Sequence, residues 1–320
     1  MSRLRRLLPL LATVTVVVVL ATVVWRGVAM SGDVREVGWP VRPWLLGLGF
    51  ASYALALLIS ALLWRDIVMR LDGARPPLGA SLATFLASWP GRYVPSSVPY
   101  VAGKIVLGAR LGHSAGALGA SVVYENVLMV AVALIASSVI LPIALVGEGG
   151  STLVYAGSAL GGLAGLALLS PPCFRRAINL AARLARKEVV REYVLSYRGI
   201  GSALAYTSLL TLAYAVSFTL ILNAFVDLGA RDAFISGAAL ALAGGVGVAA
   251  LPVPSGLGVR EAVLIGVMQA VVPIESAVAA ALLMRFGGLI VDLAFGAISA
   301  GVLALRGDAV DPAPRLLDAA

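Results

Sequence analysis

The sequence predicts an all-α polytopic membrane protein. Three observations predict it: an apolar composition, six uninterrupted apolar stretches near spanning length, and two further apolar regions broken in mid-course by Pro and Gly. Hydrophobic residues make up 60% of the 320 and charged residues 12%, with a mean hydropathy of +0.99. A water-soluble domain of this length needs more polar surface than 24 basic and 16 acidic side chains provide.

The first element is an apolar run over 7–24, preceded by Arg3, Arg5 and Arg6. It resembles a signal peptide in its basic start, but Trp25 and Arg26 follow directly in place of a small-residue cleavage site. We read it as an uncleaved first span. Stretches long enough for a ~30 Å hydrocarbon core recur at 44–64, roughly 115–146, 152–169, 200–226 and 276–305. The region 78–111 is interrupted by Pro90, Gly91, Pro95 and Pro99, and the region 233–272 by Pro252, Pro254, Gly256 and Gly258. Each reads as two short helices joined by irregular backbone.

Lys and Arg set the orientation, because cytoplasmic loops retain them. Arg3, Arg5 and Arg6 put the N-terminus in the cytoplasm; Arg65, Arg70 and Arg75 mark a second cytoplasmic loop, and the basic cluster from Arg175 to Arg198 a third. The remaining loops balance Arg26, Arg35 and Arg42 against Asp33 and Glu36, and Arg231 against Asp227 and Asp232. This scheme is consistent only if each broken region enters and leaves on one side as a re-entrant hairpin. It also puts the C-terminus in the cytoplasm.

The two broken regions look alike. Leu71-Asp72-Gly73-Ala74-Arg75 parallels Asp227-Leu228-Gly229-Ala230-Arg231, and Val94-Pro95-Ser96 parallels Val253-Pro254-Ser255. Each hairpin lies between two spans, and the two units start from opposite sides. The expected architecture is therefore an inverted repeat of span, re-entrant helical hairpin and span, plus the N-terminal span. Its divisions are 1–43 (N-terminal span and exterior loop), 44–170 (first repeat and an extra span), 171–199 (basic linker), 200–306 (second repeat) and 307–320 (cytoplasmic tail). In the linker, Phe174, Ile178, Ala181, Ala182 and Ala185 approximate one helical face, which suits a helix lying on the cytoplasmic surface.

A single cysteine, Cys173, excludes an intramolecular disulfide, and a single histidine, His113, leaves no His cluster for a metal. No cofactor is expected. The net charge of +8 flanks apolar spans and serves topology, so nucleic acid is not an expected partner. Gly244, Gly245 and Gly247 do not complete a nucleotide-binding pattern and read as helix-packing positions.

The stretch Pro252-Val253-Pro254-Ser255-Gly256-Leu257-Gly258-Val259-Arg260-Glu261 resembles the proline-glycine signature of the lysylphosphatidylglycerol synthase transmembrane-region family of flippase-like membrane proteins. Gly91-Arg92-Tyr93-Val94-Pro95, Ala102-Gly103-Lys104 and Tyr124-Glu125 are similar to that family's first conserved block. Ser255 stands where a glycine is common, and no acidic residue follows Gly103. Larger members carry a soluble aminoacyl-transferase domain after the membrane part. The resemblance implies the lipid-translocating part without the lipid-modifying part.

Irregular backbone at membrane depth persists only against protein or a water-filled cavity, which makes the Pro-Gly breaks candidate binding sites. Helices starting after Pro254 and near Pro99 would point free N–H groups at a phosphate, and Arg92, Lys104 and Arg260 add full charges. Glu125, Glu261, Arg285 and Asp292 lie in otherwise apolar helices, where a charge costs at least ~2.5 kcal/mol. Arg285 and Asp292 share nearly one face, which allows pairing with Glu261 or with each other. The candidate substrate-binding set is Arg92, Lys104, Glu125, Pro254, Gly256, Gly258, Arg260, Glu261, Arg285 and Asp292. Tyr93, Tyr100 and Tyr124 are candidate cavity residues, and Trp25, Trp39, Trp44 and Trp64 read as interfacial anchors.

The leading expectation is a flippase or scramblase type of transporter in the inner membrane, moving a phospholipid or a polyprenyl-phosphate-linked lipid. No ATP-binding motif is present, so an ion gradient or a partner would supply energy, with Glu125 or Glu261 as a proton carrier. Expected partners are membrane lipids with anionic headgroups, a lipid-modifying enzyme, or a second copy of the chain. An ion-coupled small-solute transporter and a non-transporting accessory subunit are the alternatives. An enzyme is not expected, for want of a nucleophile with partners or an acidic metal cluster.

Overall fold

Uninterrupted apolar runs in hydrocarbon must satisfy every backbone N–H and C=O internally, and helices do so. The computed structural model describes residues 41–94, 98–145, 152–184, 193–249 and 258–306, which form helices and their connections. The expected first span, the tail, Pro252, Pro254, Gly256 and Ala185 lie outside the described residues.

Helix α1 (Pro43–Asp72) starts with Pro in its first turn and stops at Gly73, whose φ of +82° closes the helix through an N–H to Met69 O bond. Pro76 and Pro77 then separate it from α2 (Leu78–Ser88). Pro90 and Gly91 convert the next turn to a 3-10 segment, Trp89–Tyr93, before α3 (Val98–Ala109). At Gly91 a Cβ would lie 2.6 Å from the Tyr100 backbone nitrogen, so this close approach of the two arms requires glycine. The chain entering the pair, at the end of α1, also meets the chain leaving it after α3. Asp72 accepts the Ser114 N–H at 3.0 Å and lies 3.0 Å from His113 Nδ1. The segment therefore doubles back, as the sequence predicts for 78–111.

Helix α4 (Ala115–Leu145) is followed by α5 (Thr152–Leu168) and α6 (Pro171–Leu184). The chain bends by 77° between Tyr155–Leu168 and Pro171–Arg183. Phe174 and Ile178 of α6 are buried, with Phe174 stacked on Tyr124 at 4.4 Å, while Arg175, Arg176 and Arg183 are exposed. Of the expected apolar stripe, Phe174 and Ile178 are buried and Ala181 and Ala182 half-buried. Next come α7 (Tyr197–Asn223), α8 (Ala230–Ala249), α9 (Val259–Met268) and α10 (Ile274–Arg306).

The order of long helix, helix pair and long helix occurs twice: α1, α2/α3, α4 and then α7, α8/α9, α10. The leading helices of the two sets run antiparallel against each other. An ion pair of Arg42 with Asp227 joins them at one end, and Ser202 bonds Asp66 and Arg70 at the other. Gly49 permits the approach, since a Cβ there would fall 3.2 Å from Ser217 O. Two apolar clusters result, one around Trp64, Phe85, Tyr124 and Phe174, the other around Tyr53, Phe218, Met268 and Met284.

Five described helices are long and apolar enough to cross a membrane, or six if the bent α5/α6 pair counts as one. Two details differ from expectation. The first arm of the second broken region, α8, has 20 residues and is itself a candidate span; Gly244, Gly245 and Gly247 do not interrupt it, and at Gly245 the helix packs so closely on α4 that a Cβ would overlap Ala133. Trp64 is not an interfacial anchor. It is fully buried on the inner face of α1, against Phe85 and His113.

Candidate functional site

A cavity of about 70 Å³, room for several waters, opens where the Trp89–Tyr93 turn meets α1, α4, α7, α8, α9 and α10. Its polar wall carries Arg92 and Tyr93 from the first broken region, Arg260 from the second, Arg285 from α10, and Tyr53, Thr211 and Tyr214. Its apolar wall consists of Met129 and Ala133 of α4, Leu240, Ala241 and Gly244 of α8, Met284 and Trp89.

Local sequence explains how each charge is held. Glu261 lies in the first turn of α9 and accepts the Gly258 N–H at 2.8 Å, so the carboxylate caps its own helix. Gly258 has φ +82°, a conformation that favours glycine. The other Glu261 oxygen stands 3.6 Å from Arg285 Nη1. Arg92 lies 4.3 Å over the Trp89 ring and Arg285 5.9 Å from the Tyr93 ring centre, so aromatic faces support both guanidinium groups. Among the described residues no ion pair is formed by Arg260.

Behind the cavity, Asp292 is fully buried and its Oδ2 accepts hydrogen bonds from Tyr93 at 2.5 Å and Tyr53 at 3.3 Å. Gly288 leaves space for the Tyr53 ring, which would be 2.8 Å from a Cβ. The Trp89 indole N–H lies beside this carboxylate, and neither that N–H nor Oδ1 has another hydrogen-bond partner among the described residues. The local charge set is three guanidinium groups against the carboxylates of Glu261 and Asp292. Among the described residues the cations exceed the carboxylates by one, which suits an anion.

Lys104 and Glu125 lie elsewhere. Lys104 is fully buried and its Nζ sits 2.8 and 2.7 Å from the two Glu125 oxygens, with Tyr100 OH donating to Oε2 at 3.1 Å. The rings of Phe85 and Tyr100 approach the ammonium at 4.5 and 4.4 Å. This pair joins α3 to α4 and does not line the cavity. Tyr124 does not line it either; its hydroxyl accepts the Leu195 N–H at 2.8 Å.

Of the residues singled out in the sequence, Arg92, Tyr93, Arg260 and Arg285 are brought together on one cavity, with Glu261 and Asp292 in contact with them. Gly258 caps α9 at its edge. Pro254 and Gly256 fall outside the described residues. Tyr53, Trp89, Thr211 and Tyr214 were not singled out. Tyr53 and Tyr214 did carry a signal, since a tyrosine far from either end of an apolar span is too deep for an interfacial anchor.

The family model for the lysylphosphatidylglycerol synthase TM region matches residues 10–296. Comparison with curated proteins gives no match.

Proposed function

Because the chain belongs to the lysylphosphatidylglycerol synthase TM-region family, we propose that it is a lipid transporter of the flippase or scramblase type. Its substrate is a phospholipid or a polyprenyl-phosphate-linked lipid, moved across the inner membrane. One observation carries the reading: Arg92, Arg260 and Arg285, from three separate segments, converge on a cavity whose other wall is apolar. Guanidinium groups bind phosphate with paired hydrogen bonds, while the apolar wall suits the chains attached to it.

In this reading the two sets of helices are inverted repeats, with both termini cytoplasmic and the cavity between them as the site for alternating access. The antiparallel packing of α1 on α7 supports it. Arg92, Arg260 and Arg285 hold the headgroup. Glu261 holds Arg285 until phosphate competes for it, and Lys104 with Glu125 fixes the first hairpin against α4. The protein transports and catalyses no covalent step.

The test is movement of labelled phospholipid in reconstituted vesicles, comparing the wild type with Arg260→Ala and Glu261→Ala at matched reconstitution. Protein-dependent movement that drops in folded variants supports the reading. A wild type that moves neither several phospholipids nor a polyprenyl phosphate overturns it in favour of a small-solute transporter or an accessory subunit.

A further inference from the structure

The phosphate end of the proposed substrate accounts for one wall of the cavity and leaves the other unexplained. Met129 and Ala133 on α4, with Leu240, Ala241 and Gly244 on α8, face the same space as the arginines and present no polar side chain to it. A site for a small hydrophilic ion has no use for such a wall. The two helices meet at Gly245, where a Cβ would overlap Ala133 and lie 3.9 Å from the Val130 Cα. Contact there is van der Waals packing between Gly, Ala and Val, and among the described residues no side-chain hydrogen bond joins the two helices, so parting them breaks none there. Both also reach the outer surface: Val139 of α4 and Phe234 of α8 are more than half exposed. In a membrane such exposed apolar side chains meet hydrocarbon, so the two helices of the seam border lipid as well as the cavity.

Resting on the transport reading above, we propose that the α4–α8 seam is the lateral gate, and that an acyl chain of the bound lipid occupies the Met129–Leu240 wall and leaves through it. The headgroup stays on the arginines while the chain passes between α4 and α8. This makes the substrate a lipid carrying its phosphate at the head of a hydrocarbon chain, taken from and returned to the bilayer sideways.

The experiment uses the full chain with Cys173→Ser, so that introduced cysteines are the only thiols. Ala133→Cys with Gly245→Cys forms one lock and Val130→Cys with Gly245→Cys a second, since a Cβ at Gly245 meets Ala133 and lies 3.9 Å from the Val130 Cα, within reach of a disulfide once the two helices adjust slightly. Vesicles of phosphatidylethanolamine and phosphatidylglycerol contain a trace of phosphatidylglycerol with a photoreactive group near the end of one acyl chain. Labelled residues are mapped by mass spectrometry, reduced and oxidised, and lipid movement is followed in the same vesicles. We expect labelling at Met129 and Leu240 in the reduced protein, falling about tenfold on oxidation in at least one lock and returning with reductant. Movement should fall in parallel. Labelling confined to outer-surface residues, or unchanged by a verified disulfide, overturns the gate. Reversible labelling without movement in the wild type sustains the acyl-chain site and counts against the transport reading instead.

Discussion

Two groups of charges lie within the apolar body of this protein, and they are built in opposite ways. Lys104 and Glu125 face each other across two short contacts inside a shell of Phe85, Tyr100 and Trp64, closed to the cavity. Arg92, Arg260 and Arg285 share a cavity and outnumber the carboxylates of Glu261 and Asp292 among the described residues, with aromatic faces beside Arg92 and Arg285 and a 3.6 Å ion pair from Arg285 to Glu261. Taking a charge out of water is costly in either place. Where charges match one for one and are closed off, they fix structure; where cations exceed carboxylates beside an open space, they suit an anionic ligand.

The largest effect expected from this contrast is on stability. Lys104→Ala leaves Glu125 buried without its cation, which costs about 3–5 kcal/mol. Lys104→Met combined with Glu125→Leu should recover most of that, because a well-packed apolar pair of similar volume replaces a buried ion pair at little or no cost. Thermal unfolding in detergent of the singles and the double measures it. If the double variant is folded but no longer moves lipid, Glu125 has a role beyond the pair and the contrast breaks.

Next is Arg260→Ala. With no ion pair to disrupt among the described residues, it should shift the unfolding midpoint little while lowering lipid movement at least about tenfold, the loss of one charge-assisted phosphate contact of ~1.5–3 kcal/mol. Arg260→Lys should restore only part, since an ammonium cannot make the paired bond. A large loss of stability with Arg260→Ala would make this arginine structural and remove the distinction.

Much of this contrast was visible in the sequence, but not its sorting. Charged residues within apolar helices stand out from composition alone, and the proline-glycine stretch ending at Arg260 and Glu261 marked one side of the cavity. The pairing of Arg285 with Glu261 followed from the few intramembrane charges available. Asp292 did not follow: its helical face suggested Arg285 or Glu261, yet its hydrogen bonds come from Tyr53 and Tyr93, whose approach depends on the 3-10 turn and on the space left by Gly288. Lys104 was grouped with Arg92 because both precede or follow the same break. Its direction became clear only when α3 packed on α4 and turned the side chain into the aromatic shell. Helix existence is a local property of apolar runs, whereas the side of a hairpin that faces a cavity is set by long-range packing.

A smaller change is expected from Glu261→Gln. The amide oxygen can still accept the Gly258 N–H, so α9 keeps its cap, but the charge facing Arg285 is gone. The cavity then carries two surplus positive charges. Binding of a soluble phosphodiester headgroup such as glycerophosphoglycerol, measured by calorimetry, should tighten a few-fold and lose that gain as salt is raised. Lipid movement should slow if release limits the cycle. Unchanged affinity would mean that Glu261 acts through the helix cap alone and that the charge balance of the cavity does not govern binding.

The smallest effect tests the structural side of the comparison. Tyr124 stacks on Phe174 and its hydroxyl accepts the Leu195 N–H at 2.8 Å, tying α4 to α6 and to the segment before α7. Tyr124→Phe keeps the stacked ring and removes both hydrogen bonds of the hydroxyl, the long one it donates to Tyr193 O and the one from Leu195, whose N–H is left unpaired, at a cost of about 1–2 kcal/mol. Since the ring lies away from the cavity and no charge changes, lipid movement and headgroup affinity should match the wild type while the unfolding midpoint falls by a few degrees. A loss of movement larger than the loss of stability would extend the site to α6. The boundary between the closed and open groups of polar residues would then have to be redrawn through α4.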